Sequence, residues 1–148
     1  MKINQAGLDL VKTYEGFRSD IYICSGHRKT YGFGSTRGFD GKRLTGNENP
    51  ISREDAEKLL KRDLQSAEKA IHRMVKVPLS ENQFSAICSW IYNLGSGSWQ
   101  RSTARLKLNR FDYTGCINEM IRWNRASGKR LRGLVLRRES ERLLFLRS

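Results

Sequence analysis

The chain has 148 residues, 38% of them apolar and only two of them proline, one domain's length and enough to bury about 70% of the surface its unfolded chain exposes. Its outlying property is charge, 28 Lys and Arg against 15 Asp and Glu for a net +13. No low-complexity tract or fixed-period repeat is present, which argues against a disordered or solenoid chain, and the charge favours anionic partners: nucleic acid, an anionic membrane or an acidic polymer such as a cell wall.

The opening MKINQAGLDL lacks the apolar core of a signal peptide. The most apolar stretch, FSAICSWIYNL at residues 84–94, is about half the length needed to span a bilayer. The expectation is a protein made and kept in the cytoplasm until something releases it. Cys24, Cys88 and Cys116 are odd in number and widely spaced, which speaks against a disulfide framework.

In chain order, Asn4 is predicted to cap a first helix, with Ile3 and Leu8 as a hydrophobic staple, and Gly16 to stop it. Glu15 then lies at the helix end, where the negative pole of the helix dipole makes a purely structural carboxylate unfavourable. From Phe17 to Thr36 the pattern alternates. Ile21 and Ile23 point one way and Tyr22 and Cys24 the other; Tyr31 and Phe33 share one face, with Thr30, Gly32 and Gly34 on the opposite one. That reads as a small antiparallel hairpin. Glycines on one face permit close approach of another backbone or a ligand. RGFDGKRLTGNENP is turn-rich and is predicted to add loops and a short third strand.

Ser52 is predicted to cap a long helix over about residues 52–75, with Ala56, Leu59, Leu60, Leu64, Ala67, Ile71 and Met74 on one stripe. At about 1.5 Å per residue it runs roughly 33 Å, enough to connect two lobes. Pro78 ends that segment, and Ser80 with Gln83 forms a capping box for a helix carrying Phe84, Ile87, Cys88 and Ile91. Gly95 and Gly97 mark a loop, shorter helices follow around 102–109 and 112–125, and GLVLRRESERLLFL closes the chain. The predicted class is α+β: a small β lobe at about 15–51, the connecting helix, and a larger helical lobe at about 79–148 joined by the N-terminal helix, with a cleft between the lobes.

The spacing of Glu15, Cys24 and Thr30, with eight and then five residues between them, is the sharpest candidate site. A carboxyl facing a polar hairpin suits glycosidic hydrolysis, which needs one acid for the leaving oxygen and something to place water or stabilise charge on the other face of the sugar. The same three residues also fit an exposed Glu, a buried strand Cys and an ordinary strand Thr. Cys24 and His27 are spaced as a ligand pair, but the other Cys and His residues are dispersed singly, so a four-ligand zinc site and any other metal are not expected. GFGSTRG lacks the last glycine of a dinucleotide-binding loop.

From Arg122 on, Arg122, Arg125, Lys129, Arg130, Arg132, Arg137, Arg138, Arg142 and Arg147 stand against Glu139 and Glu141. They form either an anion-binding face or a solvated one with local Glu–Arg pairs. Trp90 and Trp123 adjoin apolar stripes and are expected in the core. Cys88 and Cys116 read as small core hydrophobes.

The segments YEGFRSDIY, TYGFGST, ISREDAEKLLKRDL, VPLSENQFSAICSWIYNLGSGSW and GLVLRRESERLLF, in that order, resemble the phage-type lysozymes, the endolysin muramidases. The resemblance covers essentially the whole chain. It implies a lysozyme-like two-lobed fold and hydrolysis of the β-1,4 bond between N-acetylmuramic acid and N-acetylglucosamine in bacterial peptidoglycan, causing cell lysis. Glu15 matches the family's catalytic acid and Thr30 the threonine that helps place water. Cys24 falls where the best-known members carry aspartate, though some members carry cysteine. Tyr92, Asn93 and Gly95 match the sugar-lining segment of the helical lobe, and Ser35 stands at a position that is often histidine. Arg137, with Arg138 the competitor, matches an arginine that neutralises the catalytic glutamate.

The resemblance implies no cofactor and no specific nucleic-acid partner, a phage or prophage origin, a holin for release, a monomer, and an Arg-rich C-terminal region able to meet an anionic outer membrane. A free thiol titrates near ~8.5, and a neighbouring carboxylate pushes it higher. Cys24 is therefore expected to be mostly neutral, which leaves three roles: orienting water with Thr30, attacking the anomeric carbon as a minor thiolate, or filling the position. The first, with inversion, is the expectation because a neutral thiol is a poor nucleophile. The alternatives are an impaired wall-binding module on the same fold and a lytic transglycosylase.

Overall fold

The computed structural model describes residues 1–147. Helix α1 (Gln5–Glu15) starts where the Asn4 side chain accepts the Gly7 N–H at 2.9 Å. It stops where Gly16 takes φ +72°, the left-handed conformation that glycine adopts without penalty. The chain divides into two compact units, Glu15–Gln65 and a larger one made of Met1–Tyr14 and Ser66 onward.

In the smaller unit β1 (Arg18–Ile23) pairs antiparallel with β2 (Lys29–Gly32). The register slips between Arg18 and Tyr22, so Ser19, Asp20 and Ile21 stand where β2 offers only Tyr31. Beyond the slip Tyr22 faces Thr30, and Ile23 faces Lys29 on the exposed side. The strand ends at Gly32 instead of running on to Thr36, because Tyr31 and Ser35 exchange backbone hydrogen bonds across a tight turn, 3.0 Å each way. Gly32 answers why the hairpin carries glycines. At φ +65° any Cβ would be strained, and it would stand 3.0 Å from the Cβ of Ala56. The close approach is to a helix of the protein itself.

The expected third strand is absent. Gly38, Asp40 and Gly41 bend the chain so tightly that only one isolated bridge forms, between Arg37 and Arg43. Thr45 and Gly46 are instead held by Glu48, whose carboxylate accepts both backbone N–H groups and the Thr45 hydroxyl. These bonds hold its pKa down to about 2.

Helix α2 (Arg53–Met74) begins with Ser52 accepting the Asp55 N–H at 3.1 Å and contributes residues to both units. Ala56, Leu59, Leu60, Leu64, Ala67 and Ile71 are buried as the stripe required. Each such leucine contributes about 1.5–3 kcal/mol relative to an exposed one.

The larger unit continues with α3 (Glu81–Leu94), α4 (Ser96–Arg101), α5 (Thr103–Leu108), α6 (Tyr113–Met120), the hairpin β3 (Arg125–Ala126) and β4 (Lys129–Arg130), and α7 (Arg132–Leu146). Ser80 and Gln83 form the capping box of α3. Residues Phe84–Ile91 of that helix are all buried, because α7 packs along one side of it. Cys88 and Cys116 are core residues.

Three expectations fail here. Gly97 lies inside α4 and not in a loop; only Gly95, φ +95°, separates α3 from α4. Helix α6 stops at Met120, short of residue 125, and further on Ser127 and Gly128 take φ +52° and +77°. Two successive positive φ values make the tight turn that closes a two-residue hairpin. Trp123, expected in the core, is 36% exposed and only its edge meets Trp90, the centroids 5.2 Å apart. Among the described residues no helix is long and apolar enough to cross a membrane.

Candidate active site

Glu15 is the last residue of α1, half-buried at the start of the smaller unit. The hairpin that follows is positioned by Phe17, whose ring lies 5.4 Å from that of Phe33. Cys24 begins the hairpin turn. Its N–H donates to the Arg28 carbonyl at 3.0 Å and its carbonyl accepts from His27 at 2.9 Å. Thr30, opposite Tyr22 on β2, is 2% exposed and its hydroxyl donates to the Arg28 carbonyl at 2.9 Å.

The structure brings Cys24 and Thr30 to one turn, and this corrects the expected direction of the thiol's pKa shift. The Thr30 hydroxyl, followed by the Arg28 N–H, hydrogen-bonds the sulfur and holds the Cys24 pKa below its ordinary value, not above it. The hydroxyl has one proton. In the structure that proton goes to the Arg28 carbonyl, and the hydroxyl's lone pairs remain as acceptors. Cys24 is half-buried, so the sulfur stays within reach of water.

Tyr22 is the residue that the sequence reading missed. Burial foremost, then the charges of Cys24 and Glu15, raise its pKa against the pull of Arg18, whose guanidinium lies 4.5 Å from the ring centroid. Tyr22 thus feels both the acid and the thiol. The available signal was its place two residues before Cys24 on the same strand face. Ser35, where histidine is common, is buried and donates to the Asp63 carboxylate at 2.6 Å. A hydrogen bond from an uncharged hydroxyl to a carboxylate stands there.

Tyr92, Asn93 and Gly95 sit together at the C-terminal end of α3 in the larger unit. Ser89 and Asn93, one turn apart, face α7 and meet a buried charge cluster there. The Glu141 carboxylate accepts from the Ser89 hydroxyl at 2.7 Å. It lies 2.7 Å from Nε of Arg138, off line for a hydrogen bond, and 3.4 Å from Nε of Arg137. Arg138 reaches on to Asn93 Oδ1 at 2.7 Å and to the Trp123 carbonyl at 3.3 Å. Burial lowers the Arg138 pKa and raises that of Glu141, against their mutual attraction.

The Arg-rich tract is therefore not one face. Arg137 and Arg138 are interior, Arg142 pairs with Glu139 at 2.7 Å and Arg122 with Glu119 at 3.1 Å. Arg125, Lys129, Arg130 and Arg132 remain exposed on and beside the β3–β4 hairpin. Among the described residues no group of three or more His, Cys, Asp or Glu is placed to hold a metal ion.

The sequence matches the phage lysozyme family over residues 12–141. It is 38% identical over 149 residues to the endolysin of Acyrthosiphon pisum secondary endosymbiont phage 1, covering 98% of each chain. The structure matches that of a P22 lysozyme mutant with a TM-score of 0.90 and 37% identity over 99% of both chains. It also matches the muramidase domain of SpmX from Asticaccaulis excentricus, with a TM-score of 0.86 and 30% identity over 99% of both chains. With its mostly helical, lysozyme-like fold and small two-stranded sheet, the chain belongs to the phage lysozyme family and is a glycosidase.

Proposed function

We propose that this glycosidase cuts the β-1,4 bond between N-acetylmuramic acid and N-acetylglucosamine in peptidoglycan, with Glu15 as general acid and Cys24 and Thr30 placing the attacking water. Tyr92, Asn93 and Gly95 contact the glycan. The observation that carries the reading is the turn of the hairpin that follows Glu15, where the Cys24 N–H and the buried Thr30 hydroxyl both donate to the Arg28 carbonyl, at 3.0 and 2.9 Å, and so bring thiol and hydroxyl to one turn.

In the proposed reaction Glu15 gives its proton to the bridging oxygen as the C1–O bond breaks and the electron pair stays on that oxygen. Water, accepted by the sulfur and the Thr30 oxygen, attacks C1 from the opposite face of the sugar. Its surplus proton passes to Cys24 in the thiolate form, giving the thiol, and solvent then returns a proton to Glu15 and takes one from Cys24. The lowered Cys24 pKa supports the sulfur as a proton acceptor. It also removes one argument against direct attack by the thiolate, since a thiolate is a strong nucleophile. Inversion by water requires no thioglycoside and is the simpler course.

The cell-level reading is lysis by a monomer that waits in the cytoplasm, is released by a holin and meets peptidoglycan; the exposed cations of the β3–β4 hairpin then contact an anionic outer membrane. Replacing Arg125, Lys129 and Arg130 by Gln should reduce killing of intact cells and spare hydrolysis of purified wall. Equal losses in both would remove the membrane role. For the activity itself, mass spectrometry of digested peptidoglycan should show reducing muramic acid ends with wild type and none with Glu15→Gln. Anhydro ends would indicate transglycosylation, and identical products from both proteins would take Glu15 out of the mechanism.

A further inference from the structure

A guanidinium carries only donors, so the Asn93 atom that faces Arg138 at 2.7 Å must be the carbonyl oxygen Oδ1. The amide orientation is thus fixed by chemistry. Arg138 has little freedom to release it. The residue is 1% exposed, its Nη2 also reaches Glu141 at 3.2 Å, and its Nη1 holds the Trp123 carbonyl. Glu141 is pinned in turn by Ser89 and Arg137. With Oδ1 turned inward, Nδ2 of Asn93 points away from the cluster, and among the described residues it donates to nothing. Asn93 is half-buried, and Gly95 beyond it has nothing within 4 Å of where a Cβ would stand.

We infer that Arg138, braced by Glu141, is a positioning residue that presents the Asn93 Nδ2 as a hydrogen-bond donor to a carbonyl of the glycan, the N-acetyl group being the carbonyl class on each sugar. This rests on the assignment of Asn93 as a glycan contact proposed above. A donor held in this way favours an acetamido sugar over the corresponding amine, because a protonated amine has no lone pair to offer it. Arg138 touches no substrate in this role. It sets which end of the Asn93 amide does.

The test is steady-state kinetics of the full chain on purified peptidoglycan and on the same wall chemically de-N-acetylated, with thermal melting as the fold control. Asn93→Asp keeps an oxygen toward Arg138 and strengthens that contact, but it replaces the outward donor by an acceptor. The expected result is a melting temperature no lower than wild type, a KM on the acetylated wall raised roughly tenfold for a lost hydrogen bond, and little change in kcat. The preference for acetylated over de-N-acetylated wall should shrink or reverse. Arg138→Lys, which cannot span Asn93, Glu141 and Trp123 together, should raise KM in the same direction; if it fails to fold, Asn93→Asp carries the test alone. A folded Asn93→Asp with wild-type KM and preference would overturn the inference and leave the proposed function standing. A wild type inactive on both walls would overturn the proposed function and the inference with it.

Discussion

Replacing Glu141 by Gln changes one atom type and no appreciable volume, so its effect isolates the charge. The carboxylate is 1% exposed and lies against two buried guanidinium groups, at 2.7 Å from Arg138 and 3.4 Å from Arg137. The amide keeps one acceptor but turns an NH2 toward a donor, either an arginine or the Ser89 hydroxyl. Both interior guanidinium groups then lose the charge of this carboxylate. Removing one partner of a buried pair costs about 3–5 kcal/mol, a large share of the roughly 5–15 kcal/mol by which a domain is stable. For a chain of this size about 2–4 °C is lost per kcal/mol, so the midpoint should fall by roughly 6–20 °C. Thermal and urea unfolding followed by circular dichroism measure it. Glu139→Gln, which breaks only the exposed pair with Arg142, should leave the midpoint where it is. A Glu141→Gln midpoint as high as that of Glu139→Gln would refute the reasoning and show the cluster to be solvated.

Cys24 should react with iodoacetamide at neutral pH faster than a free cysteine, since its pKa is lowered chiefly by Thr30. Cys88, raised well above the ordinary thiol range by burial, and Cys116, raised to about 12, should stay unmodified in the folded chain. Thr30→Val should slow the Cys24 reaction, and a rate profile centred at or above ~8.5 in the wild type would contradict the assignment. The loop at Thr45–Glu48 should hold in mild acid: a depressed carboxyl pKa stabilises the folded form above the unfolded value of about 4.3 and loses that contribution as pH falls through about 2. The amide shifts of Thr45 and Gly46 should therefore stay native at pH 3 and move near pH 2. Movement centred at pH 4 would show that Glu48 is not clamping them.

Much of the fold was legible because its signals are local. The Asn4 cap, Gly16 stop, Ser52 start, Ser80–Gln83 box and the stripe from Ala56 to Ile71 each involve residues within a turn or two of one another. The illegible parts depend on partners distant in the chain. Arg137 and Arg138 read as surface charge because nothing in their own segment reveals that Ser89 and Asn93, more than forty positions earlier, cover them. The expected helix ran past the end of α6 at Met120, toward the two-residue turn at Ser127–Gly128. Alternation put Tyr22 on the face of Cys24, but the register slip before it, three residues of β1 against one of β2, was not legible because it depends on the partner strand. At the candidate site, the spacing of Glu15, Cys24 and Thr30 was what singled these residues out as candidates. The direction of the Cys24 shift was not legible, because it is set by hydrogen bonding from Thr30 and the Arg28 backbone across the turn and not by the Glu15 charge.

The measurement closest to the central claim is proton NMR of the anomeric products in the first moments of peptidoglycan cleavage, run with wild type, Cys24→Ala and Thr30→Val. Water held by Cys24 and Thr30 opposite the bond that Glu15 protonates predicts that the inverted anomer is released first, with both variants slower and their products unchanged. First release of the retained anomer, or a sugar thioether trapped on Cys24, would contradict it and make the sulfur the nucleophile.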